Sequence, residues 1–470
     1  MLIVKYKDSL PELQYSLDII FKQFLGLDYQ FQKEPVEYIE ISQPNDKKKL
    51  SLNADFFNII EKHWLSPKSM PVTPLKQWQV KDDHQAVNLV EPSVPIIYGK
   101  SGFKQIDKNH WHLGLDIFGS SFFMLSRYEE AIITGRDKHD RFPASASLAY
   151  QEGFLDRPIV NEYLEILWYC LKKLWSQLKR RQHQFQMRVS CDVDHLYQCS
   201  ANKLTSQIRH IAGDLIIRKS PLLALKSTLN YFFRKFGSYT FDSYYSNLIW
   251  IMKVNEVAGN KVIFYFMAGQ TDKNMDGCYQ LDEPIVRQVM RQMAERGHQI
   301  GLHPSYQTYK SQKQLHKEAD NLRRVMKEEG VSQQSIGSRQ HYLRWDSFLT
   351  PNNIENTNIT HDSTLGFAEQ QGFRCGTCYD YTMYDLSSRM KLNLTQYPLT
   401  LMEGTLLSSR YQNTKKEKLF LQKSSVLINH IKHYDGMFTL LWHNSYLGFN
   451  WYNKAYKTLT NTTNKNDNLQ

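Results

Sequence analysis

Apolar and polar positions give this chain two different rhythms. From residue 186 onward, short unbroken apolar runs take turns with stretches whose apolar residues recur every three or four positions. Lys261-Val-Ile-Phe-Tyr-Phe-Met267 reads as a strand buried on both faces. Residues 284–296 read as a helix with Ile285, Val289, Met290 and Met293 on one side, and residues 313–329 as another. Gln299-Ile-Gly-Leu-His303 and Phe438-Thr-Leu-Leu-Trp442 read as further strands, and Ile359 opens one more strand end. Strands alternating with helices predict a mainly parallel sheet, open or closed into a barrel, in an α/β domain over 186–455 with a helical insert at 200–250.

Before residue 186 the rhythm is looser. Val36-Glu-Tyr-Ile-Glu-Ile41 and Val94-Pro-Ile-Ile-Tyr98 are strand-like among proline-rich and charged loops, so 1–110 reads as a smaller α+β domain without a catalytic constellation. A helical connecting segment is expected over 111–185. Within it Tyr163, Ile166, Leu167, Cys170, Leu171, Leu174 and Trp175 recur at helical spacing, which predicts packing rather than a site. The polar tail, 456–470, is expected to be disordered.

Composition changes the picture in one respect. The 470 residues carry 58 Lys+Arg against 47 Asp+Glu, a net charge of +11, which favours anionic surfaces. Part of the excess is local: Lys203, Arg209, Arg218, Lys219, Lys226, Arg234 and Lys235 face one acid, Asp214, with apolar residues between them. That is the make-up of a basic amphipathic helix pair able to lie on an anionic membrane surface, and equally of a solvated helical face. No recognised nucleic-acid motif accompanies the charge, so no nucleic-acid partner is expected. No apolar run approaches the roughly 20 residues of a spanning helix, and the N-terminus lacks a signal-peptide pattern. The six cysteines are scattered, so free thiols and a cytoplasmic protein are expected, peripheral at the inner membrane face if the basic segment 203–235 lies on lipid. Cys375-Gly-Thr-Cys378 has no second pair and is not expected to bind zinc.

Candidate chemistry sits where strands should end. Arg188-Val-Ser-Cys-Asp-Val-Asp-His195 stops in Asp192 and Asp194, which as i and i+2 share one side of a strand. Gly297-His-Gln-Ile-Gly-Leu-His303 ends in an imidazole. Ser338-Arg-Gln-His341 offers Arg339, able to orient a carboxylate, together with His341. Thr360-His-Asp362 brings His361 and Asp362, and Leu441-Trp-His443 ends the last strand in a candidate general acid. A single histidine of this kind is more often structural. Five such ends in one α/β region point to a divalent metal site with a proton-transfer pair.

In this order the motifs resemble the polysaccharide deacetylases (carbohydrate esterase family 4, the NodB-homology domain) over residues 186–450. The Gly297–His303 stretch is the most specific match, and Asp192-Val-Asp194 takes a form seen in related aminoarabinose-lipid deformylases. Residues 123–130 and 153–158 resemble the N-terminal extension of a bacterial subgroup associated with surface polysaccharide. The resemblance implies a distorted (β/α) barrel of NodB type and a zinc or similar ion that activates water. It implies Asp192 as general base, Asp194 and His303 as metal ligands, Arg339 as the residue orienting the base, and His443 as the proton donor. Tyr306, Tyr342, Asp362 and Trp442, beside these residues, are expected to face the substrate. The chain departs from the pattern at Gln307, where the family has its second metal histidine, and glutamine is a poor zinc ligand. A third ligand then comes from elsewhere, His341 or His361, or else His195.

The leading reading is a metal-dependent hydrolase removing an acetyl or formyl group from an amino sugar of a surface polysaccharide or its lipid-linked precursor. A catalytically degenerate barrel that binds glycan or a biosynthetic partner is the alternative, and a glycosidase using Asp192 and Asp194 as acid and base is a third.

Overall fold

The computed structural model describes residues 1–198, 204–217, 219–448 and 450–462. Strands β1 (Leu2–Tyr6), β2 (Tyr29–Lys33), β3 (Ile39–Ser42) and β4 (Lys49–Leu52) open the first sheet. β5 (Lys76–Trp78) and β6 (Val94–Ile96) pair into a separate ribbon, and β7 (Gly99–Gln105) and β8 (His110–Leu115) complete the six-stranded sheet, ordered β2-β1-β3-β4-β8-β7. Side chains alternate as a half-buried sheet requires: Leu2, Val4 and Tyr6 of β1 and Ile39 and Ile41 of β3 turn inward. The wholly buried helix Ile117–Leu125 and the helix Ile159–Leu174 pack together in this unit, the latter burying the periodic residues read from the sequence. The N-terminal sheet therefore runs past residue 110, and the expected connecting segment belongs to its core. The backbone pairing of β8 with β4 and β7 is what a short His-Trp-His-Leu-Gly-Leu run does not disclose.

The second sheet holds β9 (Gln186–Val193), β10 (Val262–Phe266), β11 (Gln299–Leu302), β12 (Gly337–Ser338), β13 (His361–Asp362), β14 (Tyr381–Asp385), β15 (Met390–Gln396), β16 (Leu401–Met402) and β17 (Met437–Leu441). They run in the order β14-β15-β13-β12-β11-β10-β9-β17-β16, and every pair is parallel except β14 with β15. The edge strands β14 and β16 do not pair, so the sheet is a curled half-barrel, consistent with the distorted barrel that the resemblance implies. The N-terminal unit covers the β14 edge instead: Tyr15 Oη donates to Thr382 O at 2.8 Å, and Thr382 N donates to Gln23 Oε1 at 3.2 Å. A buried charge network crosses the same junction, with Arg127 on Glu129 and Glu130 and Arg374 on Glu130 at 2.7–2.8 Å.

Between β9 and β10 lie helices Leu204–Ile216, Pro221–Arg234 and Ser243–Val257. The tail differs from expectation. A helix spans Asn450–Thr460, with Tyr456 buried against Trp442 and Trp250 and bonded to Asn255 at 2.6 Å; residues 463–470 lie outside the described residues. Among the described residues no helix is long and apolar enough to cross a membrane. The cysteines also differ in part: Cys170, Cys191, Cys375 and Cys378 are free and buried, but Cys278 is disulfide-bonded, and Cys199 lies outside the described residues. Scattered spacing says nothing about which loops a fold brings together.

Candidate active site

Parallel strands in one sheet deliver their C-terminal ends to one edge, and four of them build a single cleft of about 410 Å³, within the roughly 300–1,000 Å³ usual for ligand pockets. β9 contributes Asp192 and, just past its end, Asp194. His303 follows β11, its N–H donating to Phe266 O at 2.7 Å. Arg339 and His341 follow β12, and His443 follows β17.

The two carboxylates point to the same side, as their spacing predicts, and both face His303 Nε2: Asp194 Oδ1 lies at 3.2 Å and Asp192 Oδ2 at 3.9 Å. His341 Nε2 completes the group 3.7 Å from Asp194 Oδ1. One ligand atom from each of Asp194, His303 and His341 falls within 4.8 Å of the other two. Asp194 Oδ1 and His303 Nε2 are buried and have no hydrogen-bond partner, a costly state for polar atoms that a shared cation would relieve. The outer ring nitrogens are fixed: His303 Nδ1 donates to Arg339 O at 2.5 Å, and His341 Nδ1 to Asp276 Oδ1 at 2.9 Å. Such bonds orient an imidazole so that its other nitrogen is presented to a metal. One oxygen and two imidazole donors suit zinc and neighbouring divalent ions.

Arg339 is fully buried. Its Nη1 donates to Asp192 Oδ1 at 2.9 Å and Ser190 Oγ at 2.7 Å, while Nε and Nη2 donate to Ser363 O and Oγ. Asp192 is thereby held with Oδ2 free to face the cleft. On the opposite wall His443 Nδ1 is bonded to buried Glu403 at 2.6 Å, and its Nε2 stands 3.6 Å from Asp194 Oδ2. Burial alone would depress the His443 imidazole, but Glu403 and then Asp194 outweigh it and raise its pKa to about 10. Burial likewise opposes ionisation of Asp194, yet His443, His303 and His341 hold that carboxyl well below the usual range. Burial pushes His341 down, whereas His303 is raised against its burial, first by Asp192.

The residues expected to form the site do not all reach it. His341 joins the cluster and His361 does not: its ring stacks on Tyr397, its Nδ1 pairs with Thr360 Oγ1, and burial lowers its pKa to about 4. His195 lines the cleft outside the ligand group. Tyr342 lines the cleft through a left-handed backbone (φ 62°), rare for a bulky residue, within the turn that also carries His341. Tyr306 stands behind it, bonded to His139 and stacked under Arg344. Asp362 lies beneath the floor, accepting from Ser338, Thr364 N–H and Thr364 Oγ1, and Trp442 lies in the core against Phe420 and Tyr456. Trp442 follows the strand rule that should have excluded it, because a neighbour of cleft-facing His443 points to the other face. Gln307 also turns away: its Oε1 accepts from Arg344 at 3.2 Å, and the third member of the cluster is His341.

Asp276, Glu403, Ser190 and Ser363 are the positioning residues that sequence reasoning missed. Asp276 sits in a polar segment resembling a solvated loop, and Glu403 follows a two-residue strand, so neither carried a signal beyond being acidic. The N-terminal unit also contributes: Arg141, held by Asp137, lines the cleft and donates to Tyr342 O at 3.1 Å.

Backbone proximity is part of the design. A Cβ on Gly277 would stand 1.9 Å from Asp194 O, so the segment carrying Asp276 can approach only through glycine. Gly277→Ala is expected to push Asp276 off His341 and weaken zinc affinity about 10- to 100-fold, read by competition with a chromogenic chelator.

A profile for a family of unknown function (DUF7033) matches residues 1–176, the stretch that carries Arg141 and the first sheet. No curated protein matches the chain by sequence. Two solved structures were found by shape. A protein from Mycobacterium smegmatis assigned as a polysaccharide deacetylase shares 10% identity at a TM-score of 0.37, over 60% of this chain and 86% of that one. Puue allantoinase shares 11% at 0.36, over 59% and 83%. Likeness at these scores carries no inference about this chain.

Proposed function

We propose that this protein is a divalent-metal-dependent hydrolase that removes an N-acyl group, acetyl or formyl, from an amino sugar. One observation carries the reading: Asp194 Oδ1 and His303 Nε2, buried 3.2 Å apart without hydrogen-bond partners, converge with His341 Nε2 at a point flanked by an arginine-held carboxylate and a glutamate-held imidazole. Asp194, His303 and His341 would hold the ion. Bound there, it would polarise an acyl carbonyl and ease the deprotonation of water. Asp192, fixed by Arg339, takes the proton from water as its oxygen adds to the carbonyl carbon. His443 Nε2–H gives a proton to the amide nitrogen as the C–N bond breaks, releasing carboxylate and free amine. The order of sequence motifs supports an amino-sugar amide over other acyl substrates. The alternative of a degenerate binder drew on Gln307, and it loses that motive because His341 stands at the third corner.

The test offers N-acetylated and N-formylated amino-sugar oligosaccharides and measures released carboxylate and amine. Release is expected to stop with a chelator and return with zinc. Zinc-loaded protein that releases neither, while still binding the oligosaccharide, would favour the binder.

The proton donor gives a pH prediction. His443 must be protonated to act, and Glu403 is the first cause that keeps it so at high pH. Glu403→Gln removes that charge, lowers the imidazole pKa and moves the alkaline limb of the kcat/KM profile to lower pH by about a unit or more. An unmoved alkaline limb would remove His443 from this role.

A further inference from the structure

Helices Leu204–Ile216 and Pro221–Arg234 form a hairpin that is polar inside and apolar outside. Between them lie buried Gln207 and Asp214: Gln207 Nε2 donates to Ser227 O, and Ser227 Oγ donates to Asp214 Oδ2 at 2.6 Å; Asn230 is buried against Asp242. Ala224 is buried with them and Ile211 and Leu229 are half-buried, but many of the large apolar side chains face outward. Of the 20 large hydrophobic residues exposed on the described surface, nine lie between Ile208 and Phe236, including Ile216 (74%), Ile217 (82%), Leu222 (63%) and Phe232 (55%). A helix pair folded for water does the reverse, and one apolar cluster this dense marks a surface that meets something apolar.

Charge says what that is. Arg209, Lys219, Lys226 and Lys235 are exposed among the apolar residues. The one carboxylate between residues 204 and 236, Asp214, is turned inward and 1% exposed. An outward face of apolar and cationic side chains without acids complements an anionic bilayer, where the apolar groups enter the acyl boundary and the cations meet headgroups. Helices of 13 and 14 residues reach about 20 Å, short of the roughly 30 Å hydrocarbon core, so the hairpin lies in one leaflet rather than crossing.

We propose that this hairpin docks the protein on anionic lipid bilayers. Its root is at the cleft. The chain leaves β9 directly after Asp194, Asn444 Nδ2 clasps His195 O at 2.8 Å, and Asp242 Oδ2 accepts from both Gln198 N and Asn230 Nδ2. Docking would therefore keep the cleft close to the membrane. Given the hydrolase reading, that selects an amino sugar carried on lipid; the docking itself stands without it.

The test is co-sedimentation of the full chain with phosphatidylcholine vesicles, with and without a quarter phosphatidylglycerol. Phosphatidylglycerol is expected to strengthen binding at least about tenfold, and added salt to weaken it. Ile216→Ser with Ile217→Ser, and separately Lys219→Glu with Lys226→Glu, should each reduce binding at least about tenfold with circular dichroism and zinc content unchanged. Wild-type protein that binds neither vesicle, or variants that bind like wild type, would overturn the proposal. So would a dimer seen by light scattering and abolished by the same variants, since the face would then belong to a second copy. Vesicle binding is read without turnover, so its failure is distinct from failure of the hydrolase.

Discussion

Asp194→Ala is expected to yield a folded protein that retains no stoichiometric zinc and whose kcat/KM falls by about a thousandfold or more. Asp194 supplies the oxygen donor of the cluster, while Asp192 is held by Arg339 as the base. The loss is compounded on the proton side. Asp194 is one of the charges that keep His443 protonated, so removing it weakens the donor as well as the metal. Zinc should raise the Tm of the wild type and leave that of the variant unmoved, because a ligand stabilises only the state that binds it. His361→Ala is the control: its ring lies against Gly337 and Tyr397 and should be dispensable for zinc. Metal content by plasma mass spectrometry, with the thermal shift, reads both variants.

Arg339→Ala is expected to be the most destabilising single change in the cleft, by about 3–5 kcal/mol, because it leaves Asp192 buried without its counter-charge and removes the donor to Ser363 Oγ. Arg339→Lys should recover only part, since a point charge cannot reach Asp192, Ser190 and Ser363 together. Adding Asp192→Asn to Arg339→Ala should restore stability by neutralising the stranded carboxylate, while activity stays lost for want of a base. Urea midpoints on the metal-free proteins separate the three. A cost below about 1 kcal/mol for Arg339→Ala would mean that Asp192 is not held as described.

Much of this site was legible because strand geometry is strict. The i and i+2 spacing of Asp192 and Asp194 put both on one face, and the motif ends at His303, Arg339 and His443 fall at C-terminal ends of parallel strands, which share an edge. The same parity, applied consistently, would have removed Trp442. What stayed hidden was contact between segments distant in sequence. Nothing local marks Asp276 as the partner of His341, 65 residues away, or Glu403 as that of His443. The choice of His341 over His361 depends on a turn with two left-handed residues, Tyr342 and Leu343, which no propensity foretells. The choice between an open and a closed sheet stayed unresolved, since whether β14 closes a barrel or meets Tyr15 and Gln23 is decided by tertiary packing.

The central claim is that one divalent cation sits between Asp194 Oδ1, His303 Nε2 and His341 Nε2. Anomalous diffraction at the zinc edge from crystals grown with the metal tests it most directly. The account predicts a single strong peak in bonding contact with those three atoms, absent from crystals of His341→Ala. A peak bound instead by His361 or by Cys375 and Cys378, or none in a cleft whose side chains are ordered, would contradict it.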